Sequence, residues 1–64
     1  MKVNGKEVEF KEKMSILNLL DNYNLDKNKV VVEVNFQILE PEVFEEYIVN
    51  KEDEIEIISF VGGG

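Results

Sequence analysis

Few residue types in this 64-residue chain can do covalent chemistry, and the scarcity itself narrows the choices. Cys and His are absent. That removes the thiol nucleophile, disulfide staples, the usual zinc ligands and the one side chain that ordinarily titrates near neutrality. What remains are carboxylates and the stretch Val61-Gly62-Gly63-Gly64. Glycines bury no side chain and ionise nothing, so the α-carboxylate of Gly64 would sit on a thread thin enough to enter another protein's active site. Gly62 and Gly63 would give passage through a narrow channel, and Gly64, without a Cβ, would leave its carbonyl open to attack. The plainer reading is a frayed end, and the tail alone does not choose between the two.

The other carboxylates offer less. Asp21, Asn22, Asn24 and Asp26 have the composition of a calcium loop but lack its central Gly and distal bidentate Glu, so a helix end and a turn explain them better. Glu40, Glu42, Glu45 and Glu46 have no partner base and read as the polar side of a helical turn. Gly62 to Gly64 do not form a phosphate cradle, because no helix follows to lend its N-terminus and no Gly-Lys-Ser/Thr accompanies them.

The net charge is −7, and it is uneven: six of the seven basic residues precede Glu33, whereas nine of the fourteen acids follow Val32. This balance disfavours nucleic acid and anionic membranes and would speed encounter with a basic surface on a partner protein. For each acid singly, including Glu52, Asp53, Glu54 and Glu56 near the end, a solvated surface role is the simpler account. A chain this short forms one domain, expected over residues 1–61 with 62–64 as a tail, and rarely encloses a catalytic cleft. A binding or carrier module is therefore expected rather than an enzyme. No secretory or membrane-spanning stretch is apparent, which points to the cytoplasm.

The elements that must position the tail follow from local pattern. Met1 and Val3, then Val8 and Phe10, alternate about Asn4-Gly5, the strongest short signal for a tight hairpin. Ser15 can cap a helix whose Ile16, Leu19, Leu20 and Tyr23 share one apolar face, with Asn24 in the left-handed position that ends it and Leu25 folding back. Val30 to Val34 reads as a mid-sheet strand with Val30, Val32 and Val34 on one face and Val31 and Glu33 on the other. Asn35-Phe36 turns into a brief strand, Gln37 to Leu39, and Pro41 opens a helical turn with Val43, Phe44, Tyr47 and Ile48 as its apolar face. A polar turn from Asn50 to Asp53 leads to a last strand, Glu54 to Val61. Its alternation puts Ile55 and Ile57 in the core and leaves Ile58 and Phe60 on the outer face beside the tail, where polar residues are expected. With Val31 and Val61 they form a candidate docking patch, the alternative being closure of a core edge. The order predicts an α+β domain with a helix across one face of a mixed sheet of about five strands and the other face open.

At this point the chain resembles the ubiquitin-like sulfur carriers, a β-grasp family, and among them the carriers of thiamin biosynthesis. The resemblance spans nearly the whole chain. It is carried by Val3-Asn4-Gly5, by Ser15-Ile16-Leu17-Asn18-Leu19-Leu20, by Val32-Glu33-Val34-Asn35 leading to Ile38, and above all by Asp53-Glu54-Ile55-Glu56-Ile57-Ile58-Ser59-Phe60-Val61-Gly62-Gly63-Gly64. The chain departs from the family where Glu52 replaces a frequent Gly. It departs again where Leu39-Glu40-Pro41-Glu42 and Phe44 stand in place of a Pro-Arg and a Trp.

The resemblance implies that the Gly64 carboxylate is adenylated by a ubiquitin-activating-like adenylyltransferase of the ThiF type using ATP and Mg. It is then converted to a thiocarboxylate with sulfur from a persulfide donor such as a cysteine desulfurase, and consumed by a thiazole synthase of the ThiG type. On this reading the chain is a protein co-substrate and binds no cofactor itself. A sibling carrier feeding molybdopterin or another sulfur-containing metabolite, and a non-covalent interaction module, are the alternatives.

Overall fold

The computed structural model describes residues 1–60. Val61, Gly62, Gly63 and Gly64, and with them the expected boundary between domain and tail, lie outside the described residues. Strands β1 (Lys2–Val3) and β2 (Lys6–Glu7) form the expected hairpin, with Asn4 at φ 53° and Gly5 at φ 81° supplying the two left-handed residues that a tight turn of this hand requires. Val8 and Phe10 lie beyond β2 and pack half-buried against the core, the Val8 N–H still donating to Met1 O at 2.9 Å.

Helix α1 (Ile16–Asn22) begins at Ser15, whose Oγ accepts from the Asn18 N–H at 3.0 Å while Asn18 Oδ1 accepts from the Ser15 N–H at 3.2 Å. The next orphan donors of the first turn are satisfied from elsewhere in the chain: the Ile16 and Leu17 N–H groups donate to the carbonyls of Tyr47 and Phe44, each at 3.0 Å. At the other end Asn24 is left-handed at φ 58°, and the Leu25 and Asn24 N–H groups return to Leu20 O and Asp21 O at 2.9 and 3.0 Å, as expected of an Asn-terminated helix. Tyr23 does not share the buried face. It is the residue at which the helix ends (φ −97°, ψ 5°), so the helical period no longer holds and its ring is 43% exposed.

A short 3-10 turn (Lys27–Lys29) feeds β3 (Val30–Val34), then β4 (Gln37–Leu39), a second 3-10 turn (Pro41–Val43) and finally β5 (Glu54–Ser59). The five-stranded sheet runs β2-β1-β5-β3-β4, with β1 and β5 parallel and the other pairs antiparallel. The last strand thus occupies the centre. Val3, Val30, Val32, Val34 and Ile55 face Ile16, Leu19 and Leu20 of the helix, and Phe44 and Val49 close the core. Ile48 departs from its expected place in the apolar face of the helical turn. After Phe44 and Tyr47 the backbone becomes extended and bridges Ser15, so Ile48 turns outward and its neighbour Val49 turns in. A helix packed on one face of a mixed sheet, with the final strand central and the other face open, is the ubiquitin-like β-grasp fold.

Candidate partner interface

The open face is built outward from β5. Glu54, Glu56 and Ile58 alternate on it with the buried Ile55 and half-buried Ile57, and Phe60 follows in the same phase. Val31 is the cross-strand partner of Ile58, so the two stand side by side and Val31 joins the patch as expected. Ile58 and Phe60 are 49% and 59% exposed, Val31 is half-buried, and Val61 lies outside the described residues. The alternative, in which Ile58 or Phe60 closes a core edge, does not hold.

Pattern reading missed Ile38. It is 67% exposed and sits opposite Glu33, on the same face as Val31 and Ile58. The signal was present in the turn. With only Asn35 and Phe36 between the strands, Val34 must face Gln37 and Glu33 must face Ile38, which puts Ile38 on the face of Glu33. Phe36 was likewise overlooked: it is 80% exposed at φ 71°, a backbone state that bulky residues seldom occupy.

Both ends of β5 are tied down. At its start Asp53, which the sequence reads as a solvated surface acid, is 4% exposed and holds structure instead. Its carboxylate accepts from Asn35 Nδ2 at 2.9 Å, the Tyr47 hydroxyl at 3.1 Å and the Asn50 N–H at 2.9 Å. Asn35 Oδ1 in turn accepts from the Glu54 N–H at 3.0 Å. The Tyr47 hydroxyl is held above its ordinary pKa of 10.0, first by burial and then by its hydrogen bond to, and the negative charge of, Asp53. Near the end of β5, Asn4 Oδ1 accepts from the Ile57 N–H at 2.7 Å, and the Phe60 N–H reaches Lys29 O at 3.2 Å. The glycine-rich stretch thus follows the central strand of a sheet braced up to Phe60.

The other polar groups singled out in the sequence are used locally. Asp26 Oδ1 accepts from the Asn28 N–H at 2.9 Å, and Asp21 lends its carbonyl to the helix end. A hollow of about 410 Å³ lies on the helix side between the hairpin and the end of α1, lined by apolar Val8, Leu25 and Ile57 with Lys6 and Tyr23. Among the described residues no helix is long and apolar enough to cross a membrane.

A braced β-grasp body with an open apolar face on the strand that leads to a glycine-rich end defines a ubiquitin-like carrier. The comparisons specify which. The ThiS family model matches residues 1–64. The sulfur carrier protein ThiS of Bacillus subtilis is 40% identical over 65 residues, covering 100% of this chain and 98% of its own length. A thiamine biosynthesis protein (ThiS) from Geobacter metallireducens superposes with a TM-score of 0.78 at 35% identity, covering 98% of this chain and 96% of that one. A thiazole synthase of Paramagnetospirillum magneticum is 37% identical over 97% of this chain, which spans only 19% of that protein's length. The chain belongs to the ThiS family of thiamine-biosynthesis sulfur carriers.

Proposed function

We propose that the working group of this sulfur carrier is the Gly64 carboxylate and that the folded body is its handle. A carboxylate is a poor acyl donor until one oxygen becomes a good leaving group. Attack of that oxygen on the α-phosphorus of ATP, in a ubiquitin-activating-like adenylyltransferase that binds the ATP and Mg, expels pyrophosphate and makes the acyl-adenylate. The terminal sulfur of a persulfide donor, such as a cysteine desulfurase, then displaces AMP to give an acyl disulfide. A partner thiol cleaves its S–S bond, becomes a disulfide itself and leaves the thiocarboxylate. Gly62 and Gly63 provide passage into each partner, and Val31, Ile58, Phe60 and Val61 dock the body so that the tail enters in register. The chain works in the cytoplasm as a co-substrate, with the catalytic groups on its partners.

The observation that carries this reading is the family match along the whole chain. Support for a thiazole synthase as the sulfur acceptor comes from the relative of that name that carries a similar stretch within its own length. Covalent union of carrier and acceptor would hold the two at high effective concentration.

The test is intact-mass spectrometry after co-expression with the adenylyltransferase and a sulfur source. One oxygen of the C-terminal glycine should be replaced by sulfur in the full chain and not in a chain lacking Gly64. Absence of the replacement, under conditions that convert an established carrier, would overturn the assignment.

A further inference from the structure

Strand β5 is a central strand for only part of its length. β1 pairs with it at Glu54 and Ile55 and then leaves for the hairpin turn, whereas β3 accompanies it as far as Ser59. On the β3 side the chain stays tied through Phe60, whose N–H donates to Lys29 O at 3.2 Å. On the β1 side, beyond Ile55, no strand lies beside it among the described residues. One residue extends the ladder there, and it does so with a side chain.

That residue is Asn4. The rungs between β1 and β5 advance two residues at a time: the Lys2 N–H donates to Asp53 O at 3.0 Å and the Asn4 N–H to Ile55 O at 2.8 Å. In a parallel ladder, the residue that donates to Ile55 O would also accept from the Ile57 N–H through its own main-chain carbonyl. Asn4 begins the turn at φ 53°, and the backbone there no longer follows β5. Its side-chain Oδ1 accepts from the Ile57 N–H instead, at 2.7 Å and across 53 positions of sequence. The amide oxygen stands in for the carbonyl that the turn has carried away.

Two demands therefore meet at position 4, a left-handed backbone and an acceptor on a short side chain. Gly meets the first alone, while Asn and Asp meet both. The turn would be served as well by Gly-Gly, so turn formation does not account for the acceptor. What the acceptor adds is support from a second edge at Ile57, just before Ile58 and Phe60. Without it, Glu56 to Phe60 would be held from the β3 side alone and would open more readily.

We propose that Asn4 is a positioning residue of the carrier reaction: through its bond to Ile57 it fixes the line along which β5 presents the C-terminal end to the adenylyltransferase. The inference rests on the carrier reading and deepens it. Asn4 touches no reacting atom. It reduces the ordering that the partner must impose when body and tail engage together. Once the tail is bound the enzyme itself holds it, so the effect belongs in KM and not in kcat.

The parent, Asn4→Gly and Asn4→Asp chains, each of full length, would be compared as substrates of the intact adenylyltransferase from the same organism by ATP–pyrophosphate exchange. Asn4→Gly keeps the turn and removes the acceptor, and should raise the KM for the carrier about fivefold with kcat within about twofold of the parent. Asn4→Asp restores the acceptor and should return KM to within about twofold. Amide exchange followed residue by residue should quicken about tenfold or more at Ile57 in Asn4→Gly, with Val32 unchanged. Both variants should melt within about 8 °C of the parent, which separates a lost rung from a lost fold.

An unchanged KM in Asn4→Gly, with Ile57 exchange quickened, would overturn the proposal and leave Asn4 a purely structural residue. So would unchanged exchange at Ile57, a KM defect that Asn4→Asp does not repair, a loss in kcat alone, or loss of cooperative melting in Asn4→Gly. A parent chain that is adenylated and acquires the thiocarboxylate while its variants fail these comparisons rejects the role of Asn4 and leaves the carrier reading standing. A parent that is never adenylated overturns both.

Discussion

Asp53 is buried yet accepts from Asn35, Tyr47 and Asn50, joining the β3–β4 turn, the segment after the second 3-10 turn and the start of β5 in one network. Asp53→Ala would leave those donors unpaired at a buried site and should lower stability by about 2–4 kcal/mol, read as a fall in the urea midpoint with an unchanged slope. Tyr47 gives the same network a pH signature. Its folded-state pKa is raised above 10.0, so below that value both folded and unfolded chains keep the proton and the contribution is fully present. As pH rises past it the unfolded chain loses the proton first, and stability falls until the folded pKa is passed. Tyr47→Phe should be less stable near neutrality yet lose less on alkalinisation, as thermal melts from about pH 9 to about pH 11 would show. An Asp in a polar turn reads as solvated, and only the fold reveals that Asn35, eighteen positions earlier, meets it.

At the scale of elements, most of what the pattern predicted is present because the determinants are local. Asn4-Gly5 and Asn24 occupy left-handed positions, and Ser15 caps α1, each through contacts within a few residues. Ser15→Ala should cost about 1 kcal/mol and lower the melting temperature by about 4–8 °C, with the strands unchanged in amide exchange. The errors fall where a period was carried one step too far. Tyr23 stands where helical geometry has ended, and Ile48 lies where helical geometry has given way to an extended bridge with Ser15. Periodicity assigns faces only while the backbone keeps the geometry that generates the period.

For the whole molecule, the deeply buried core members among the described residues run from Met1 to Ile55, and the glycines at the end have no side chain to add to them. A chain lacking Gly62 to Gly64 should therefore melt within about 2 °C of the full chain while losing the capacity to carry sulfur, checked by calorimetry and intact mass on the same preparation. The amino-acid sequence by itself determined the strands, the helix with its caps, the phase of β5 and the exposed Ile58 and Phe60, since all depend on residue type and spacing within one element. The tertiary structure alone decided which elements share a face. Strand order and register brought Ile38 to the apolar patch, set Glu33 against Glu56 and withdrew Asp53 from the surface. Pairing between distant strands joins residues whose separation along the chain leaves no periodic trace, so those contacts become visible only once the sheet has formed.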